Sequence, residues 1–231
     1  MAIAAFAVLL AAPAAQGACR QALALGLDIS GSVDAREYQL QRQGLAKALG
    51  ADDVARAILQ QPSAPIRLSV YEWSGPRAQT VILPWTTITG ADQLDAARQQ
   101  ILTAPRSVQD QTTALGSALL TGFAMLDTQP DCWTRTLDLS GDGIANTGPR
   151  PQDIARSRTP QGVTVNGLTI AADGAAGAAE VQALSAYFRA YVIRGPGAFV
   201  ETALGFEDYA AAMERKLLRE LQSLALSDAR Q

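Results

Sequence analysis

The segment Ala22–Ile29, ALALGLDI, is a nearly unbroken apolar run of strand length. A strand with one wet face alternates apolar and polar residues, so a continuous run marks a strand buried on both sides. Such a strand belongs at the centre of a sheet with helices packed on each face. The run leads into D-I-S-G-S, which sets the oxygen-bearing side chains of Asp28, Ser30 and Ser32 on alternate positions where the strand gives out.

The rest of the chain alternates between strand and helix signals. Asp34, with Glu37 three residues on, forms a capping-box pattern and opens a helix that carries Tyr38, Leu45 and Leu49 on one face. A short helix over Asp52–Leu59 stops before Pro62 and Pro65. Ile66–Trp73 reads as a strand, and Thr80–Trp85 as a short one in which Pro84 suits a sheet edge. Helices are expected over Ala91–Leu102 and Thr113–Leu126, the latter with Leu115, Leu119, Phe123 and Leu126 in one stripe. Thr134–Gly143 is a strand entering a glycine-rich turn, and Val163–Ile170 is another. A small-residue loop, Asp173–Glu180, leads to a helix over Val181–Phe188, and Gly195–Ala203 holds a last short strand. The final helix starts near Phe206, with Phe206, Tyr209, Met213, Leu217, Leu221 and Leu224 on one face. Its acids, Glu207 and Asp208, come early and its bases, Arg215, Lys216 and Arg219, late, as the helix dipole favours. The pattern predicts an α/β, Rossmann-like fold: a mostly parallel central sheet, helices on both faces and one short antiparallel edge strand. No internal repeat or second core is visible, so residues 18–231 read as a single domain.

A net charge of −3 and the lack of any Lys/Arg block exclude a phosphate track, and nucleic-acid binding with it. Residues 1–17, uncharged, rich in Ala and Leu and ending on small residues, read as a secretory signal cleaved after Gly17. No Lys or Arg precedes this apolar core, and a buried N-terminal helix is the alternative. Lipid attachment at Cys19 is disfavoured, because Gln16 stands where a lipobox carries a Leu-like residue. The core is shorter than the roughly 20 residues that span a bilayer. No other stretch approaches that length, so a soluble secreted or periplasmic protein is expected.

In open α/β sheets, ligands gather beyond the carboxyl ends of the strands. Three segments would end there: Asp28, Ser30 and Ser32; the turn Ser140, Asp142 and Gly143; and Asp110–Leu119, which presents a helix N-terminus. Two carboxylates and several hydroxyls with little positive charge nearby suit a hard divalent cation. The competing readings are plainer. Asp28, Ser30 and Ser32 can cap a strand-end turn, and Thr113, with Thr112 beside it, can be an N-cap. An EF-hand starting at Asp138 fails because its last ligand position falls on Pro149. The chain has no histidine, which excludes a Ser-His-Asp triad built on Ser30 and disfavours a zinc hydrolase. Asp138 reads as a structural acid, Trp73 as packing, and Asp110 and Asn146 as weaker rim candidates.

DISGS (Asp28–Ser32) matches the D-x-S-x-S signature of von Willebrand factor A domains. TALGSAL (Thr113–Leu119) resembles the second loop of that family, and LDLSGDG (Leu137–Gly143) its third, in the family's order. The resemblance runs over roughly Ala22–Leu224 and extends to an uncharacterised bacterial group of secreted A-domain proteins. It implies a metal-ion-dependent adhesion site holding Mg²⁺ or Mn²⁺. Ser30 and Ser32 would bind the ion directly and Thr113 directly or through water. Asp28 and Asp142 would supply charge, often through water, and a partner's carboxylate would complete the octahedron. The implied function is extracytoplasmic binding or adhesion without catalysis. The alternatives are a metal-dependent hydrolase, for which no base or nucleophile is evident, and a structural module whose rim meets no ligand. One departure stands out: Gly141 occupies the place where many relatives carry a threonine.

The family's sheet order would make the strands of Asp28 and Asp142 parallel neighbours, with Cys19 and Cys132 at similar heights at their far ends. Neighbouring strands lie about 4.8 Å apart, within the Cα separation a disulfide bridges, about 4.4–6.8 Å. A Cys19–Cys132 bridge is therefore expected in an exported chain.

Overall fold

The computed structural model describes residues 18–107, 109–171 and 177–228. The signal segment expected over residues 1–17, the Asp173 end of the expected loop and the side chain of Leu224 lie outside this description. The strands are β1 (Cys19–Asp28), β2 (Ile66–Trp73), β3 (Gln79–Ile88), β4 (Cys132–Gly141), β5 (Val163–Ile170) and β6 (Val200–Ala203). The helices are α1 (Ala35–Leu49), α2 (Asp52–Leu59), α3 (Ala91–Thr103), α4 (Leu115–Asp127), α5 (Gly177–Tyr187) and α6 (Tyr209–Asp228). They form one six-stranded sheet in the order β3-β2-β1-β4-β5-β6, with β3 antiparallel to β2 and every other neighbour parallel.

β1 is buried along its whole length, and its alternate residues feed two cores. Leu23, Leu25, Leu27 and Ile29 face a layer containing Tyr38, Leu45, Leu49, Val54, Met213 and Leu217, under α1, α2, α3 and α6. Ala22 and Ala24 face the other layer, where Tyr71, Trp73, Leu119, Phe123, Leu139 and Phe188 pack under α4 and α5. The small residues on that side make room for large neighbours. A Cβ on Gly26 would lie 2.6 Å from Leu139 Cδ2 and 2.7 Å from Tyr71 Cζ.

Three strands begin or end beyond their expected limits, β4 by starting at Cys132 where Thr134 is expected. β1 starts three residues early because its polar residues find partners inside: Arg20 donates to the carbonyls of Ala57 and Ile58, both at 2.9 Å, and Gln21 to Thr136 Oγ1 at 3.0 Å. β3 continues past Trp85 because a bulge absorbs the proline. Leu83 pairs with Val70 and Thr86 with Leu68, so Pro84 and Trp85 fall in the irregularity on an edge strand.

The last helix departs further from expectation. Glu207 and Asp208 lie in a 3₁₀ turn, Phe206–Asp208, ahead of α6. Because α6 runs on to Asp228, Arg215, Lys216 and Arg219 sit mid-helix and do not complement its C-terminal dipole. Cys19 and Cys132 are register partners on β1 and β4 and form a disulfide with a Cα separation of 4.4 Å. Among the described residues no helix is long and apolar enough to cross a membrane.

Candidate metal centre at the sheet rim

From β1 the chain turns through α1 and α2 to β2 on one side, while β4 lies on the other, so the carboxyl ends of β1 and β4 border the crevice where the strand order reverses. The first rim loop is short and held at both ends. The Ile29 amide donates to the Trp73 carbonyl at 2.8 Å, and the Val33 amide to the Ser30 carbonyl at 3.0 Å. α1 then starts at once on its capping box. Asp34 Oδ1 accepts from the amides of Arg36 and Glu37 at 2.7 and 2.8 Å, and Glu37 Oε2 accepts from the Asp34 amide at 2.8 Å.

Within this loop the Asp28 carboxylate is fully buried and takes the Ser30 amide on Oδ1 at 2.7 Å. Ser30 Oγ and Ser32 Oγ stand 3.3 Å apart, and Ser32 Oγ donates to Asp142 Oδ1 at 2.8 Å, joining the first loop to the third. Asp28 Oδ2 is buried with no hydrogen-bond partner. A Cβ on Gly141 would come within 3.3 Å of that oxygen, 3.4 Å of Phe188 Cζ and 3.6 Å of Trp73 Cζ2. Asp28, Phe188 and Trp73 thus close around Gly141, and Trp73, completely buried, belongs to the interior and not to the exposed rim.

The second loop brings Thr113 to the same place. Its hydroxyl lies 4.0 Å from where a Cβ on Gly143 would sit. Thr113 and Asn146 grip each other: the Thr113 amide donates to Asn146 Oδ1 at 2.8 Å, and the Asn146 amide to the Thr113 carbonyl at 3.0 Å. Thr112 is engaged elsewhere, its amide and hydroxyl both bonded to Asp110 Oδ1 at 2.9 and 2.7 Å. Neither threonine caps α4, whose N-cap is Ala114 and receives no side-chain bond. Asn146, a weak candidate by sequence, is thus the clamp between loops two and three. Gln109 was missed altogether. Its side chain donates to the Ser30 carbonyl at 2.7 Å, a contact across 79 residues that no local pattern signals. Gly31 is required by the approach of the second loop, since a Cβ there would lie 2.8 Å from the Gln111 backbone carbonyl oxygen.

Electrostatics favour a cation. Burial, then the nearby charge of Asp142, pushes the Asp28 carboxyl well above the usual carboxylate range, and burial raises Asp142 as well. Two acids in one desolvated place disfavour their own ionisation, and a dication relieves both. Among the described residues no group of three or more His, Cys, Asp or Glu side chains assembles, so the acids here come as one pair completed by hydroxyls. Oxygen donors of this kind suit hard ions, and the partnerless Asp28 oxygen fits an ion or its water shell. The EF-hand reading of Asp138 ends here too, because Asp138 is buried inside β4.

If Asn146 positions Thr113 for an ion, Asn146→Ala should weaken Mn²⁺ binding about 10–100-fold while the chain stays folded. Calorimetric titration beside circular dichroism checks this, and unchanged affinity would remove Asn146 from the site.

Several solved structures share the fold. A von Willebrand factor type A protein from Catenulispora acidiphila superposes with a TM-score of 0.57 at 17% identity, over 88% of this chain and 43% of that one. The pilus adhesin SpaC from Lactobacillus rhamnosus GG, in its open conformation, gives 0.62 at 16% identity, over 90% of this chain and 30% of that one. Proximal thread matrix protein 1 from the mussel byssus, in a structure with a zinc-occupied MIDAS motif, gives 0.57 at 16%, over 89% and 48%. This chain thus spans less than half the length of each. Among curated proteins none matches the sequence. The fold is that of a von Willebrand factor A domain, and since the family described as "Protein of unknown function (DUF1194)" matches residues 18–225, the chain belongs to that family.

Proposed function

We propose that this protein is an extracytoplasmic binding module that holds Mg²⁺ or Mn²⁺ at the rim and captures a partner's carboxylate through it. Ser30 and Ser32 would ligate the ion directly and Thr113 directly or through water. Asp28 and Asp142 would supply the compensating charge. The observation that carries this reading is the buried Asp28 carboxylate, with one oxygen partnerless, beside Asp142 and two hydroxyls. An ion held by neutral hydroxyls and two distant charges keeps enough Lewis acidity to take a further anionic oxygen.

Export is part of the proposal, with residues 1–17 as the signal and residues 18–231 as one mature domain. The disulfide supports it, since such bonds persist in oxidising compartments. Binding is favoured over hydrolysis because both rim acids are committed to the ion, leaving neither as a base. Zinc-occupied MIDAS chemistry in the mussel protein makes Zn²⁺ a third ion to test.

The test is capture from the extracytoplasmic fraction on immobilised protein in Mn²⁺, followed by elution with EDTA. The proposal expects a protein retained by the wild type, released by EDTA and absent from Ser30→Ala. Identical capture by the variant, or in EDTA throughout, would point to a rim that meets no ligand.

A further inference from the structure

We infer that Lys216 and Asp138 are joined by an amide bond formed inside the folded chain, with Glu220 as the proton shuttle. The juxtaposition that carries this lies in the core between α6 and β4. Lys216 is 0% exposed, Asp138 2% and Glu220 4%. Lys216 Nζ directly contacts Asp138 Oδ1, and Glu220 Oε1 lies 2.7 Å from the same nitrogen. Glu220 is fixed in turn: Asn166 Nδ2 donates to Glu220 Oε1 at 2.6 Å, while Asn166 Oδ1 accepts from the Phe199 amide at 3.0 Å. The Phe199 ring, 5.3 Å from Nζ, helps close the pocket.

As an ionised cluster this arrangement holds its charges out of water. The ammonium meets Asp138 and Glu220, Arg219 adds a second positive charge nearby, and Asp138 Oδ2 is buried with no hydrogen-bond partner. Burial costs an imperfectly compensated charge a great deal. It also favours the uncharged amine, lowering the lysine's affinity for its proton. Moving a proton from Nζ to the Asp138 carboxylate converts the pair into a neutral amine against a carboxylic acid without changing the overall charge. Those are the reacting forms of an amide condensation, already held in contact and shielded from solvent.

The step balances without an oxidant or any other reagent. The Nζ lone pair adds to Asp138 Cγ, forming the C–N bond as the carbonyl π pair moves onto oxygen. Glu220 takes a proton from Nζ and delivers one to the hydroxyl on Cγ. The C–O bond breaks, water departs, and the carbonyl re-forms as an amide whose remaining N–H faces Glu220. Glu220 ends in the protonation state in which it began. A cavity of about 380 Å³ bordered by Gln21, Thr136, Asn166 and Glu220 gives the water a way out. The product fastens α6 to β4, and it removes one ammonium and one carboxylate from the core.

The test is the mass of the full chain, denatured and with the disulfide reduced, followed by tryptic mapping. The inference expects one population lighter than the sequence by one water. It also expects no cleavage after Lys216, and a branched peptide joining the segment that carries Asp138 to the one that carries Lys216. Glu220→Gln, shown by thermal unfolding to be folded, should restore the full mass and the cleavage. A folded wild-type chain at full mass would overturn the inference. So would a water loss confined to Asp142–Gly143 or Asp173–Gly174, the two aspartyl-glycine dipeptides of the sequence.

Discussion

Replacing Cys132 with serine is expected to lower the stability of the oxidised protein by about 2–5 kcal/mol. The bridge closes a loop with a sequence separation of 113, so its loss releases a large part of the chain in the unfolded ensemble. The native state loses less, because Arg20 and Gln21 still anchor the start of β1 through their side chains. Urea unfolding should therefore show a lower midpoint together with a steeper dependence on urea, as the unlinked unfolded chain exposes more surface. A loss below about 1 kcal/mol would mean that contacts alone hold the β1–β4 pairing.

The second large effect concerns the rim, and its sign depends on the ion. In EDTA, Asp142→Ala should leave the melting temperature unchanged or raise it, because the substitution removes one of two crowded acids and costs one hydrogen bond from Ser32. In Mn²⁺ the order reverses. Ion at about 100 times its dissociation constant stabilises the wild type by about 2.7 kcal/mol, and the variant loses that increment. Thermal unfolding of both proteins in both solutions checks it. An Mn²⁺-dependent rise that survives in Asp142→Ala would place the ion elsewhere. A group that destabilises the empty fold and is needed only by the ligated one is characteristic of sites under functional constraint.

The strands and the rim were legible in the sequence for physical reasons. β1 is buried on both faces and so shows an apolar run, and hydroxyl and acid side chains placed at the end of such a run have no packing role to explain them. Capping of α1 by Asp34 and Glu37 is a local pattern and was readable as such. What stayed hidden depends on contacts between distant segments. Asn146 grips Thr113 across 33 residues, and Gln109 reaches Ser30 across 79. Trp73 and Phe188 meet Asp28 around Gly141, a meeting of three strands and a helical segment that no spacing signals. Lys216 shows the same limit most clearly. Between Arg215 and Arg219 it reads as one more base complementing the helix dipole, yet it is buried against two acids that lie on different elements. Spacing along a helix identifies which face a residue occupies, but it does not reveal that a buried face is polar.

Titrating the chain from Ala18 onward with Mn²⁺ and Mg²⁺ by calorimetry tests the divalent ion at the rim most directly. The expected result is one saturable site in the wild type that disappears in Ser30→Ala, with both proteins folded. No saturable binding at millimolar ion, or equal binding by the Ser30→Ala protein, would contradict it.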